Sequence, residues 1–180
     1  MDERVISGES NNSARIAELS IHGVLPYDII SVNKPVYASG CLYGCSGQGS
    51  NFDYRNINDG FVSDSTTNDE HTWIPDTSTD AWVYMDLGTT YDINEMDIFD
   101  EEGNRVFLDR EPQFSILYGV DNVTWTNLTN NVNLQNGAKD KFVLSSPSDF
   151  SIFSARYIKL ANVAGESNEA RIAELSVYGN

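Results

Sequence analysis

The heptapeptide Ala-Arg-Ile-Ala-Glu-Leu-Ser occurs twice, at residues 14–20 and again at 170–176, within the longer echoes Gly8 to Gly23 (GESNNSARIAELSIHG) and Gly165 to Gly179 (GESNEARIAELSVYG). Copies more than 150 residues apart are too far apart to be units of a solenoid, whose periods run to about 50 residues. The spacing suits one whole β-sandwich domain. The repeat therefore divides the chain into residues 1–23, a duplicated closing strand left from a preceding tandem domain, residues 24–30, a linker, and residues 31–180, the complete domain. The opening MDERVISGES lacks the apolar core of a signal peptide, so Met1 is read as the start of a piece cut from a larger, multidomain protein.

Within residues 31–180, β-rich or period-two runs alternate with turn-forming Gly, Asn, Asp, Ser and Thr. The runs are Ala81 to Leu87, Asn94 to Phe99, Gln113 to Tyr118, Lys141 to Leu144, Ala155 to Ala161 and Ile172 to Tyr178. Ala-Arg-Ile-Ala-Glu-Leu taken alone favours helix, but its continuation Ser-Val-Tyr-Gly is β-like and the whole is assigned to a strand. Many short strands with frequent turns predict an all-β fold, a jelly-roll β-sandwich. Trp82 and Trp125 fall at strand positions and are expected in the core.

Charge narrows the partners. With 27 acidic against 11 basic residues the chain carries a formal charge of -16, which argues against nucleic acid, since phosphate recognition needs clustered Lys and Arg. No run approaches the roughly 18 apolar residues of a membrane helix. Cys41 and Cys45 form either a loop-stapling disulfide or two free thiols, and no neighbouring ligand pair completes a zinc site.

Six segments in order carry a family likeness: Asn58-Asp59-Gly60; Trp82 leading into Asp86-Leu87-Gly88; Arg110 before Phe114-Ser115-Ile116; Asp121 to Trp125; Ala155 to Leu160; and Ile172 to Gly179. Together they resemble the discoidin, or coagulation-factor type C, family, which includes the family 32 carbohydrate-binding modules and the fucose-binding lectins. The resemblance implies a jelly roll in the galactose-binding-domain class, with a structural calcium ion and a ligand site built from loops at one end. Its calcium pattern transfers to the carboxylate of Asp59, the carbonyls of Asn56 and Phe61, an oxygen from Asp64 or from Ser65, Thr66 or Asn68, the carbonyl of Ala173 and the carboxylate of Glu174. Oxygen donors of these kinds are what calcium prefers. The stretch between Gly60 and Trp73 is longer than in the commonest members, which leaves the ligand from that stretch unassigned. Asp97 to Asn104 lacks the ligand spacing of an EF-hand and is read as a solvated acidic turn.

Sugars are held by aromatic stacking and by well-placed polar groups. In the fucose-binding branch the polar groups are a His and two Arg, for which His71, Arg105 and Arg110 are the matches here. The fixed donor fork of Arg suits vicinal hydroxyls, a carboxylate or a sulfate. For stacking, the loop from Tyr37 to Tyr54 offers Tyr43, Phe52 and Tyr54, and the later loop offers Phe107. Tyr43, between the two cysteines, and Phe107, between the two arginines, are the expected rings, and Trp73 is readable either as a further one or as core. The competing account makes Arg110 an ion-pair partner of Asp109 or Glu111 and His71 a solvated loop residue.

No catalytic motif of the lipase-elbow, zincin or P-loop kind is present, and His22 and His71 are the only histidines. The reading is a secreted, non-catalytic carbohydrate-binding module stabilised by Ca2+. An adhesion module acting at membranes or cell surfaces is the alternative, which the acidity disfavours at anionic lipid. A polysaccharide lyase or glycosidase is a remote third.

Overall fold

The computed structural model describes residues 28–45, 52–60, 72–76, 80–99, 112–133, 141–145, 151–165 and 170–180. Among these residues eight strands and one 3-10 helix follow in the order β1 (Asp28–Ile29), β2 (Val36–Ala38), the 3-10 helix η1 (Tyr54–Asn58), β3 (Ala81–Phe99), β4 (Gln113–Gly119), β5 (Thr126–Asn133), β6 (Lys141–Ser145), β7 (Phe153–Ala164) and β8 (Glu174–Gly179). All strand pairings are antiparallel. The fold is the expected all-β jelly-roll sandwich.

Strand β3 organises it. Its first half buries Ala81, Val83, Met85 and Leu87 and turns Trp82, Tyr84 and Asp86 outward, the alternation of a strand with one face on the core. Gly88 then sits at φ 89, in the left-handed region open to glycine, and the pairing with β7 shifts between Asp86 and Tyr91. A second shift, opposite β8 between Ile93 and Glu95, changes the buried positions from odd to even, so that Met96 and Ile98 point inward. These irregularities let one 19-residue strand pass between two layers. Its first half pairs with β2 and β7, and β7 continues through β4 to β5; its second half pairs with β6 and with β8, which pairs with β1. Both halves feed one core with Phe114, Ile116, Ile158, Leu160, Leu175, Val177, Trp73 and Ile57.

Several expectations change. Ala81 to Leu87 and Asn94 to Phe99 are one strand, and Asp97, assigned to an acidic turn, is a buried residue of β3. Asp28 and Ile29, placed in the linker by sequence, pair with Gly179 and Tyr178, and Ile30 donates its N–H to the Val177 carbonyl at 2.9 Å. Trp82 and Trp125 are half-buried and outside the core. On the outer face Trp82 stacks on Tyr84, Trp125 tilts against Tyr84, and the Lys159 ammonium lies 5.2 Å from each indole. Beside this layer Arg156 donates Nε and Nη2 to Asp86 at 2.7 and 2.8 Å, a bidentate pair that holds the Asp86 carboxyl below its ordinary range. Among the described residues no helix is long and apolar enough to cross a membrane.

Candidate functional site

One end of the sandwich gathers the segments that sequence singled out. Strand β3 begins there at Ala81, opposite Val163 near the end of β7, and β4 begins there at Gln113, opposite Ala164. The chain leaving β2 stays at the same end, where the Ser39 N–H reaches the Trp82 carbonyl at 2.9 Å. Phe99 is tied to this end as well: its carbonyl accepts from the Ala173 N–H, next to Ile172, which pairs with Trp73, whose indole donates to Gly40 in the chain leaving β2. The connection carrying Arg105, Phe107 and Arg110 thus leaves and re-enters the sheets at this end. Those three residues, and His71, Phe61 and Asp64, lie outside the described residues.

Among the described candidates, Tyr43 is 88% exposed. It stands at φ 60 at the tip of a loop closed by a disulfide between Cys41 and Cys45, with an S–S distance of 2.13 Å. Gly44 follows at φ 90, and its N–H donates to the Cys41 carbonyl at 2.9 Å. The ring lies 6.1 Å from that of Phe52. Asp53 is fully buried, accepts from the Arg55 N–H at the start of η1, and pairs with the Arg55 guanidinium at 2.7 Å. Its carboxylate sits within 4.8 Å of both sulfurs. With both sulfurs bonded to each other, this group is a packing contact joining the Cys41–Cys45 loop to η1, and no metal site.

Trp73, readable in sequence as a stacking ring or as core, lies in the core. It is fully buried, donates Nε1–H to the Gly40 carbonyl at 2.9 Å, and its backbone bridges Ile172 through hydrogen bonds of 2.8 and 3.1 Å. A buried indole needs such a partner; here that need ties the Gly40 loop to the C-terminal segment.

The proposed calcium ligands converge as far as they are described. Helix η1 delivers Asn56 and ends at Asp59, followed by Gly60 at φ 87, while Ala173 and Glu174 open β8. Asn56, Ala173 and Glu174 are buried. Burial first, and the facing Asp59 second, push the Glu174 carboxyl up to about 8. The Gly60 N–H and the Ser176 hydroxyl ease this cost, yet neither Glu174 oxygen reaches a partner at hydrogen-bond geometry. A buried, orphaned carboxylate beside a second acid is a poor arrangement unless a proton or a cation neutralises it. The donor set, carboxylates with backbone carbonyls, fits a hard divalent ion. Sequence reasoning placed Phe52 behind Tyr43 and Phe107 and missed Arg171, whose guanidinium lies 5.7 Å from the Phe52 ring centroid. Its one visible signal was the repetition of Arg171 as Arg15 in the duplicated heptapeptide.

Among solved structures, the chain is similar to a chitosan-binding module of a chitosanase/glucanase from Paenibacillus sp. IK-5, at 19% identity and TM-score 0.57 over 84% of this chain and 99% of that one. A pectin-binding carbohydrate-binding module matches at 24% identity and TM-score 0.61 over 84% and 91%. A Streptococcus pneumoniae fucose-binding module matches at 18% identity and TM-score 0.58 over 86% and 96%. No curated protein sequence matches the chain. The sandwich described above is therefore the fold that these modules share, and residues 43–175 match the model of one family in particular: the chain belongs to the F5/8 type C domain family.

Proposed function

We propose that this chain is a non-catalytic module that binds a glycan through the loops at the Tyr43 end of the sandwich. The observation that carries the reading is convergence. The exposed Tyr43, the entry to β4 three residues after Arg110, and the buried Thr72 directly after His71 belong to segments rooted at one end. His71, Arg105 and Arg110 would supply hydrogen bonds to hydroxyls or to an acidic group, and Tyr43 with Phe107 the stacking surface. The similar modules bind chitosan, pectin and fucose by their descriptions; a galactose- or fucose-configured or acidic polysaccharide suits the residues here.

Calcium is part of the proposal. Asp59 and Glu174, with the carbonyls of Asn56 and Ala173 and donors from the Phe61–Asp64 stretch, would hold the ion and supply the charge that the buried Glu174 carboxylate lacks. The Cys41–Cys45 disulfide supports a secreted or cell-surface location, where such bonds persist. The duplicated heptapeptide supports a parent with tandem modules, which would raise a weak single-site affinity, on the order of 0.01–1 mM or about 4–7 kcal/mol, through avidity.

A glycan array probed with and without chelator, paired with an assay for reducing ends and unsaturated products, tests this. Binding to a defined glycan class without product release is expected. Product formation would make the chain an enzyme, and binding confined to lipid vesicles would favour membrane adhesion.

A further inference from the structure

Phe52 and Tyr43 form a corner of two rings at the glycan end, their planes meeting at 48°. Both residues occupy the left-handed backbone region, at φ 67 and φ 60, where side chains other than glycine's are uncommon and cost free energy. Separate constraints hold them there. The Cys41–Cys45 bond closes the Tyr43 loop, and Phe52 immediately precedes the buried Asp53 that packs against that bond and starts η1.

Behind Phe52 stands Arg171, only 6% exposed, with its guanidinium 5.7 Å from the ring centroid, a cation–π distance. The Arg171 backbone is fixed by its neighbour Ile172, paired on both sides of its peptide with Trp73. The two-ring corner thus rests on a buried cation set in the C-terminal segment, and only Tyr43 is displayed fully to solvent.

Resting on the glycan reading above, we propose that Phe52 joins Tyr43 as the wall against which the apolar C–H face of a pyranose ring packs, and that Arg171 is the positioning residue that fixes the Phe52 ring. The wall supplies the flat contact, and the polar groups rooted around it set the orientation of the hydroxyls.

Calorimetric titration of the full chain with fucose, galactose, oligogalacturonate and chitosan oligosaccharide, the sugar that binds wild type being carried forward, tests the proposal. Tyr43→Ala and Phe52→Ala should each weaken binding by about 3- to 10-fold, the range expected for one aromatic contact. Arg171→Ala should weaken it to a similar extent, Arg171→Lys should restore most of the loss, and Arg171→Ala should add little in a Phe52→Ala background. Because Arg171→Ala risks misfolding, ring proton shifts of Phe52 on addition of the sugar give a second readout, and they should move in wild type and in Arg171→Lys. Wild-type affinity in both ring variants, with Arg110→Ala impaired, would overturn the wall while sparing the glycan site. Independent effects of Arg171 and Phe52 would overturn the positioning role. Failure of wild type to bind any of the four sugars would defeat the glycan reading and this inference with it.

Discussion

Neutral-pH burial of Glu174 is expensive in the metal-free chain, and the cost can be read as a pH dependence. Burial and Asp59 raise its carboxyl from 4.5 to about 8 in the folded protein, whereas the unfolded chain keeps an ordinary carboxylate. The folded state therefore holds the proton more tightly. Its contribution to stability is fully present below about pH 4.5, declines as pH rises, and is lost above about pH 8. The difference between those limits is on the order of 4–5 kcal/mol, from 1.36 kcal/mol per pH unit. Calcium held by Glu174 and Asp59, as proposed, would replace the proton and favour the ionised form. A hundredfold excess over Kd would then add roughly 3 kcal/mol at neutral pH. Urea unfolding followed by tryptophan fluorescence, in chelator and in calcium from about pH 5 to pH 9, measures both effects, and Glu174→Gln isolates them from the titration of other acids. In chelator the wild type should lose stability relative to Glu174→Gln as pH rises, and the variant should gain far less from calcium. Parallel pH profiles of the two proteins in chelator, or an equal gain from calcium in both, would refute the reasoning.

Replacing Cys41 and Cys45 by Ser should lower stability by about 2 kcal/mol, the loop-entropy figure for so short a ring, and should weaken glycan binding by freeing Tyr43; calorimetric melting and titration check the pair of effects. Trp73→Phe keeps the buried ring but leaves the Gly40 carbonyl without its indole donor. It should cost about 1–3 kcal/mol in chemical denaturation and leave sugar affinity unchanged, whereas a large loss of affinity at full stability would return Trp73 to the binding surface.

Period-two burial made the first half of β3 legible, because Val83, Met85 and Leu87 alternate cleanly with half-exposed neighbours. Its continuity with Asn94 to Phe99 was not legible, since the register shift beside Ile93 changes the buried parity and Asn94 and Asp97 are buried polar residues. Strand β5 escaped notice because an edge strand of Thr and Asn carries little apolar signal. Trp73 stayed open between core and surface because a buried tryptophan on an isolated bridge lies among loop residues in sequence. Trp82 and Trp125 misled: they share an outward layer with Tyr84 and Lys159, which half-buries an aromatic without placing it in the core. At the proposed site, the cysteine spacing singled out Tyr43, which is exposed in the disulfide loop. The Arg171–Phe52 contact joins residues far apart in sequence and became visible only once β8 and η1 were packed together.

The central claim, a glycan site at the Tyr43 end, is tested most directly by titrating the sugar that binds wild type into Arg110→Ala and His71→Ala while recording their melting temperatures. Removing the hydrogen bonds of a charged donor should cost roughly 1.5–3 kcal/mol of binding in Arg110→Ala and leave its melting temperature near that of wild type. Wild-type affinity in both variants would place the site elsewhere, and a large drop in the melting temperature of Arg110→Ala would make Arg110 a structural ion-pair residue instead.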